Sequence, residues 1–350
     1  MPPTIAMTQT LESKSAPAAA TGAVAPTKTR TATGALLLAT FFWGCGFTWA
    51  KAGGENVNKL AGLEQGAPLG PVWLLSVRFL AAGLLWLIIF PASRRGWSWK
   101  SVGRAAAAGS FLTAGLVTQH LGLDRGSEAV IAFLTSLTIL FVPLLMTIVL
   151  RRPPPPVLWI GVILAMVGVW MMTGASPGGG GFGVGELLGV VCAVLFSMHL
   201  ISVNAILGND APARMAAGQF LTVGLITLLI CVFVERGPES LAPSRSLELL
   251  TAPGVRLNLA LMILFVTIGA FGLQTFFQPF IDPTRAALLY LVEPIFAALY
   301  PWITQGRGLT AIATSGAALI LVANVLVELL QSRRNRGKTI DPGEGPAIVD

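Results

Sequence analysis

The chain has 350 residues, 54% of them hydrophobic and only 11% charged, with a mean hydropathy of +0.75. A soluble domain of this length cannot bury so much apolar side chain, so lipid is the implied solvent, and the length accommodates about ten spans of ~20 residues. The net charge of +7 does not indicate nucleic acid, because the basic residues flank apolar runs instead of forming one patch. Cys45, Cys192 and Cys231 all lie inside such runs, which excludes a disulfide framework or a zinc-type spacing.

In chain order, residues 1–32 are rich in Ala, Thr, Pro and Ser, lack hydrophobic periodicity and read as a disordered tail. The first apolar run continues through Trp49 to Lys51 without a small-residue cleavage site, so it reads as a retained helix. Spans are predicted at 33–52, 71–91, 103–121, 127–150, 157–174, 184–206, 214–234, 257–279, 284–303 and 309–330. The Gly-rich stretch 175–183 and the proline run 153–156 read as connectors, and 331–350 as a second tail. An even number of spans puts both termini on one face. Placing them in the cytoplasm leaves fifteen Lys or Arg inside and seven outside, with Arg78 within a span, the arrangement the positive-inside rule favours.

The second half echoes the first. Arg78 to Phe90 (RFLAAGLLWLIIF) lies over Gln219 to Cys231 (QFLTVGLITLLIC) with six identities in thirteen, and from the third span onward an offset of 155 pairs Gln119 with Gln274, Ala132 with Ala287, Gly161 with Gly316 and Leu164 with Leu319. A five-span unit has an odd number of crossings, so its second copy enters the membrane from the opposite face. Such an inverted pair builds two access states around one midplane site, a geometry for which a receptor, anchor or membrane enzyme has no comparable need.

The segments Leu38 to Lys51 (LATFFWGCGFTWAK), Arg78-Phe79, Gln119 to Leu123 (QHLGL), Ser127 to Ser136 (SEAVIAFLTS) and above all Pro283 to Leu299 (PTRAALLYLVEPIFAAL) resemble the ten-span branch of the drug/metabolite transporter superfamily, with two EamA-type repeats. The likeness runs from about 34 to 330. It implies an all-α integral membrane fold of ten transmembrane helices as two inverted five-helix repeats (33–174 and 184–330), cytoplasmic termini, a cavity between the repeats, and metabolite transport, often amino-acid export. Three features depart from the pattern: His120 stands where a neutral polar residue is expected, Arg307 replaces the acidic residue usual after the ninth span, and the proline run is unusual.

Glu293 lies about ten residues into the ninth span, near the middle of the ~30 Å hydrocarbon core, where an ionisable group is expensive and marks function by default. Pro294 beside it removes an amide and predicts a kink, as does Pro143 in the fourth span. Arg78 either lines the cavity and attracts a substrate carboxylate or snorkels to the surface. Trp43 and Tyr290 offer aromatic walls, and Gln119 and Gln274 are repeat-related polar candidates. His199 reads as a hydrogen-bonded interhelical histidine or a cavity group. His120 with Asp124 reads as a solvated turn, and Lys51 and Glu128 as snorkelling or capping residues at span ends.

The expected function is a secondary transporter in a bacterial inner membrane, an exporter of an amino-acid-like or related amphipathic metabolite working by alternating access. The alternative is a membrane-embedded enzyme acting on a lipid or acyl donor, with His120 or His199 as base. No cofactor, metal or nucleic acid is expected. The expected partners are a small-molecule substrate, membrane lipid, and a coupling proton or counter-substrate. The sequence leaves the oligomeric state open.

Overall fold

The computed structural model describes residues 26–150, 156–174, 182–206, 210–281 and 283–338. The expected N-terminal tail up to residue 25, most of the Gly-rich connector, the proline run up to 155 and the C-terminal tail from 339 lie outside the described residues.

The helices are α1 Pro26–Leu60, α2 Leu69–Ile89, α3 Trp99–Arg125, α4 Glu128–Ser136, α5 Thr138–Leu150, α6 Pro156–Gly174, α7 Val184–Ile206, α8 Pro212–Phe233, α9 Gly237–Leu241, α10 Pro243–Thr251, α11 Pro253–Leu261, α12 Ala270–Phe277, α13 Pro283–Tyr290, α14 Glu293–Gln305 and α15 Ala311–Lys338. A π-helical stretch, Met262–Gly269, joins α11 to α12. Five helices that begin a span start on proline (α1, α6, α8, α11 and α13). There the missing N–H is one that a first turn leaves unbonded anyway. Ser98 and Ser101 cap α3 reciprocally.

Among the described residues nine helical stretches have the length and hydropathy to cross a membrane. The tenth, α3, is less apolar because it carries Gln119 and His120 along with Lys100, Arg104, Asp124 and Arg125 near its ends, while its packing faces hold Ala105, Ala108, Gly109, Thr113 and Gly115, all buried. Small residues let backbones approach closely, which a span surrounded by protein exploits. The first helix begins at Pro26 rather than 33, and the eighth span begins at Pro253 rather than 257.

The packing follows the inverted repeat. The second span packs on the seventh (α2 on α8) and the fifth on the tenth (α6 on α15), each pair being its own symmetry mate. The contact of α3 with α7 is matched by that of the eighth span with α1, and the contact of α4 and α5 with α7 by that of α13 and α14 with α1. At the α6–α15 crossing the glycines face each other so closely that a Cβ on Gly316 would stand 2.5 Å from the Gly168 carbonyl oxygen.

Two spans are interrupted. The fourth breaks at Leu137, between α4 and α5, and the ninth at Leu291-Val292, between α13 and α14. The offset of 155 places Leu137 on Val292, so the interruptions are equivalent positions of the two repeats.

Candidate functional site

Interrupted helices at matching positions of two inverted repeats leave backbone groups unbonded at mid-membrane, where protein must satisfy them. In the fourth span the chain's own hydroxyls do so. Ser136 Oγ donates to the Phe133 carbonyl at 2.7 Å and Thr138 Oγ1 to the Thr135 carbonyl at 2.7 Å. From α15, Asn324 Nδ2 donates to Ser136 Oγ at 3.0 Å and to its carbonyl at 3.3 Å. In the ninth span Pro294, the second residue of α14, has no N–H to give the Tyr290 carbonyl. Pro143 lies inside α5 without ending it, six positions after the interruption.

Each break carries a polar group from the preceding span. Gln119 Nε2 donates to Thr135 Oγ1 at 3.4 Å, and the same hydroxyl lies 3.8 Å from Cys192 Sγ on α7. In the other repeat Gln274 lies beside the Tyr290 hydroxyl, which itself donates to Gln278 Oε1 at 2.9 Å. Thr135 and Tyr290 are separated by 155 residues, as are Gln119 and Gln274, so these are two versions of one half-site. The same offset relates Thr138 to Glu293.

Glu293 opens α14 and is half-buried. It lies within electrostatic range of both Tyr290 and Cys192. Among the described residues nothing hydrogen-bonds to its carboxyl and no cation pairs with it. Gly44 of α1 makes this placement possible, because a Cβ there would stand 2.5 Å from Phe296 Cβ and 2.9 Å from the Glu293 carbonyl oxygen. Trp43, the next residue along, meets Tyr290 with ring centroids 5.6 Å apart and Phe271 at 5.5 Å, both edge to face. Trp43, Thr135, Gln274 and Tyr290 are also only half-buried.

Arg78 does not snorkel. It is 4% exposed at the middle of α2, with Nε donating to Thr267 Oγ1 at 2.7 Å. Thr267 belongs to the π-helical stretch and donates in turn to the Met262 carbonyl at 3.1 Å. Such π-turns recur at functional sites. His120 is within electrostatic reach of Arg78. It is buried, as is Asp124, so the pair does not form the expected solvated turn. Asn58 of α1 covers the end of α3, with Nδ2 3.4 Å from Asp124 Oδ2.

The other candidates lie outside this cluster. His199 Nδ1 bonds the Ala108 carbonyl across the α7–α3 interface at 3.0 Å. Glu128 neither snorkels nor caps but is buried and pairs with Arg307 at 3.5 Å, joining the repeats at the end of the bundle that carries Gly126. Lys51 Nζ donates to the Gly126 carbonyl on the same face. A polar cavity of about 360 Å³ there is lined by Lys51, Gln65, Asp124 and Arg125, while an apolar one of about 370 Å³ lies behind the fourth-span break, between Leu137, Leu140, Met166 and Trp170.

Thr135, Thr138, Thr267, Phe271 and Asn324 also contact the helix breaks or the candidate residues, and reading by residue type passes over them. The repeat offset applied to Tyr290 and Glu293 reaches Thr135 and Thr138. Asn324 is the one amide in the apolar run 317–327.

A family model described as the EamA-like transporter family matches residues 31–174 and again 183–329. Two proteins of Archaeoglobus fulgidus, each described as an uncharacterised transporter, are 26% identical to this chain. One alignment covers 84% of both chains, and the other covers 83% of this chain and 96% of the relative. A crystal structure 18% identical in sequence superposes with a TM-score of 0.58, covering 87% of this chain and 99% of its own, a likeness of fold.

Proposed function

Since the chain belongs to the EamA-like transporter family, we propose that it is a secondary transporter exporting a small amino-acid-like or related amphipathic metabolite by alternating access. One observation carries this reading: the spans interrupted at Leu137 and at Leu291-Val292 are repeat-related, and each presents a glutamine paired with a hydroxyl at the same level. Rocking one repeat against the other around that level exposes the same groups to each side in turn.

Glu293 is the coupling group in this scheme. An unpaired carboxyl at mid-membrane is costly unless it exchanges a proton or meets a cationic group of the solute. Trp43, Tyr290 and Phe271 form the wall for the apolar part of the solute. The setting is a bacterial inner membrane with both termini in the cytoplasm, so the Gly126 face with its Glu128–Arg307 pair is the outer one.

The test is flux from proteoliposomes loaded with a mixture of amino acids and related acids. Wild-type protein releases a subset faster than protein-free vesicles, and an imposed pH gradient changes the rate. Glu293→Gln removes the response to the gradient while leaving solute exchange. No flux of any solute under any gradient would sink the transporter reading, and flux indifferent to pH would sink the role of Glu293.

A further inference from the structure

We propose that Arg78, His120 and Thr267 form a subsite for an organic carboxylate that carries a hydroxyl or amine hydrogen-bond donor on the adjacent carbon. The proposal rests on the transporter reading, in that this ligand is the carried solute.

A guanidinium taken out of water is normally matched by a carboxylate. Arg78 has none among the described residues: its one hydrogen bond goes from Nε to the neutral Thr267 hydroxyl, and the Phe79 ring lies 4.8 Å from its Cζ. The other nitrogens of the fork, the pair that engages a carboxylate bidentately, are left without a protein acceptor. The fold does not require a cation here. The equivalent position in the second repeat holds Gln219, whose amide turns back onto its own helix at the Met215 carbonyl, 3.3 Å away.

His120 supplies an independent observation. Its Nδ1 is 2.9 Å from the Leu116 carbonyl, which requires the proton to sit on Nδ1. Nε2 therefore presents a lone pair, and it is buried without a partner. A ligand that completes both groups brings an anion to Arg78 and a donor to His120. One guanidinium balances one negative charge, which fits a carboxylate better than a phosphate monoester carrying −1.5 to −2 charges. A chain of ring contacts, Phe79–Phe220–Phe271–Trp43–Tyr290, with centroids 5.2 to 5.8 Å apart, leads from this subsite towards Glu293; Phe79 and Phe220 are fully buried in it, and the half-buried Phe271, Trp43 and Tyr290 are the rings with surface left for the apolar remainder of the solute.

The experiment is thermal unfolding of the purified full chain in detergent, titrated with L-leucine, 2-hydroxyisocaproate, isocaproate and leucinamide. The first two separate amine from hydroxyl donors, isocaproate lacks the donor and leucinamide lacks the anion. At least one of the first two raises the unfolding midpoint saturably, with isocaproate and leucinamide at least about tenfold weaker, because each leaves a buried polar group unpaired. Arg78→Gln, which installs the residue of the other repeat, abolishes the shift. Arg78→Lys keeps the charge without the fork and binds about tenfold more weakly. His120→Phe removes the discrimination against isocaproate. Leucinamide acting as well as leucine overturns the proposal, as does the absence of any shift in wild type by either 2-substituted acid. These results bear on the subsite alone, since flux of some other solute would leave the transporter reading standing.

Discussion

Replacing Gly44 with alanine tests the packing that holds Glu293 in place. The added methyl carbon would stand 2.5 Å from Phe296 Cβ, 2.9 Å from the Glu293 carbonyl oxygen and 3.0 Å from the Ala297 nitrogen. Carbon atoms rest ~3.5–4.0 Å apart, so the methyl lacks about 1 Å of room. Two of the three neighbours are backbone atoms that no rotamer change can move, so α1 and α14 must separate. Overpacking of this kind costs about 1–3 kcal/mol. Gly34, in the same helix, has nothing within 4 Å of where a Cβ would stand and serves as the control. Both substitutions gain the same helix-propensity term of up to ~1 kcal/mol, so the difference between them isolates the overlap. Equilibrium unfolding in mixed micelles should therefore place Gly44→Ala about 1–3 kcal/mol below Gly34→Ala. Proteoliposome flux should fall for Gly44→Ala and hold for Gly34→Ala, since the displaced turn carries Glu293. Equal stability and equal flux for the two variants would refute the close approach and the positioning role drawn from it.

Asn324→Ala removes the donor to the Ser136 carbonyl and hydroxyl and should cost about 1 kcal/mol by unfolding, in the range of interhelical hydrogen bonds within membranes. A double-mutant cycle on Glu128 and Arg307 should give a coupling below about 1 kcal/mol, because the arginine side chain is 59% exposed and the pair is 3.5 Å apart. Gly168→Leu should destabilise the fold more than Gly103→Leu, read by the same unfolding curves, since the first meets the Gly316 backbone and the second meets nothing within 4 Å.

Much of this architecture is legible in the sequence because hydrophobic run length and a repeat offset are local or nearly local signals. The spans, the inverted halves and the matched pair Gln119 and Gln274 follow from them. The third span is faint because Gln119 and His120 lie within it and charged residues crowd its ends. Of the two interruptions, Pro294 marks the ninth in plain view, whereas Pro143, the proline of the fourth span, lies six positions past the break at Leu137. That break is held by Ser136 and Thr138 and by Asn324, which is 188 residues away in sequence and reaches it only in the folded bundle. Asp124 likewise meets α1, whose Asn58 lies over the end of α3. Charge patterning says where a helix should stop but not what folds back over it.

Alternating access to the level of the paired helix breaks is the central claim, and Thr138, the repeat-related mate of Glu293, reports on it most directly. With Cys45, Cys192 and Cys231, all buried, replaced by alanine, Thr138→Cys in oriented membrane vesicles would be treated with a membrane-impermeant thiol reagent from one side or the other. The account predicts labelling from both sides, with transported solute slowing each. Labelling confined to one side whatever solute is supplied, or absent from both, would contradict it.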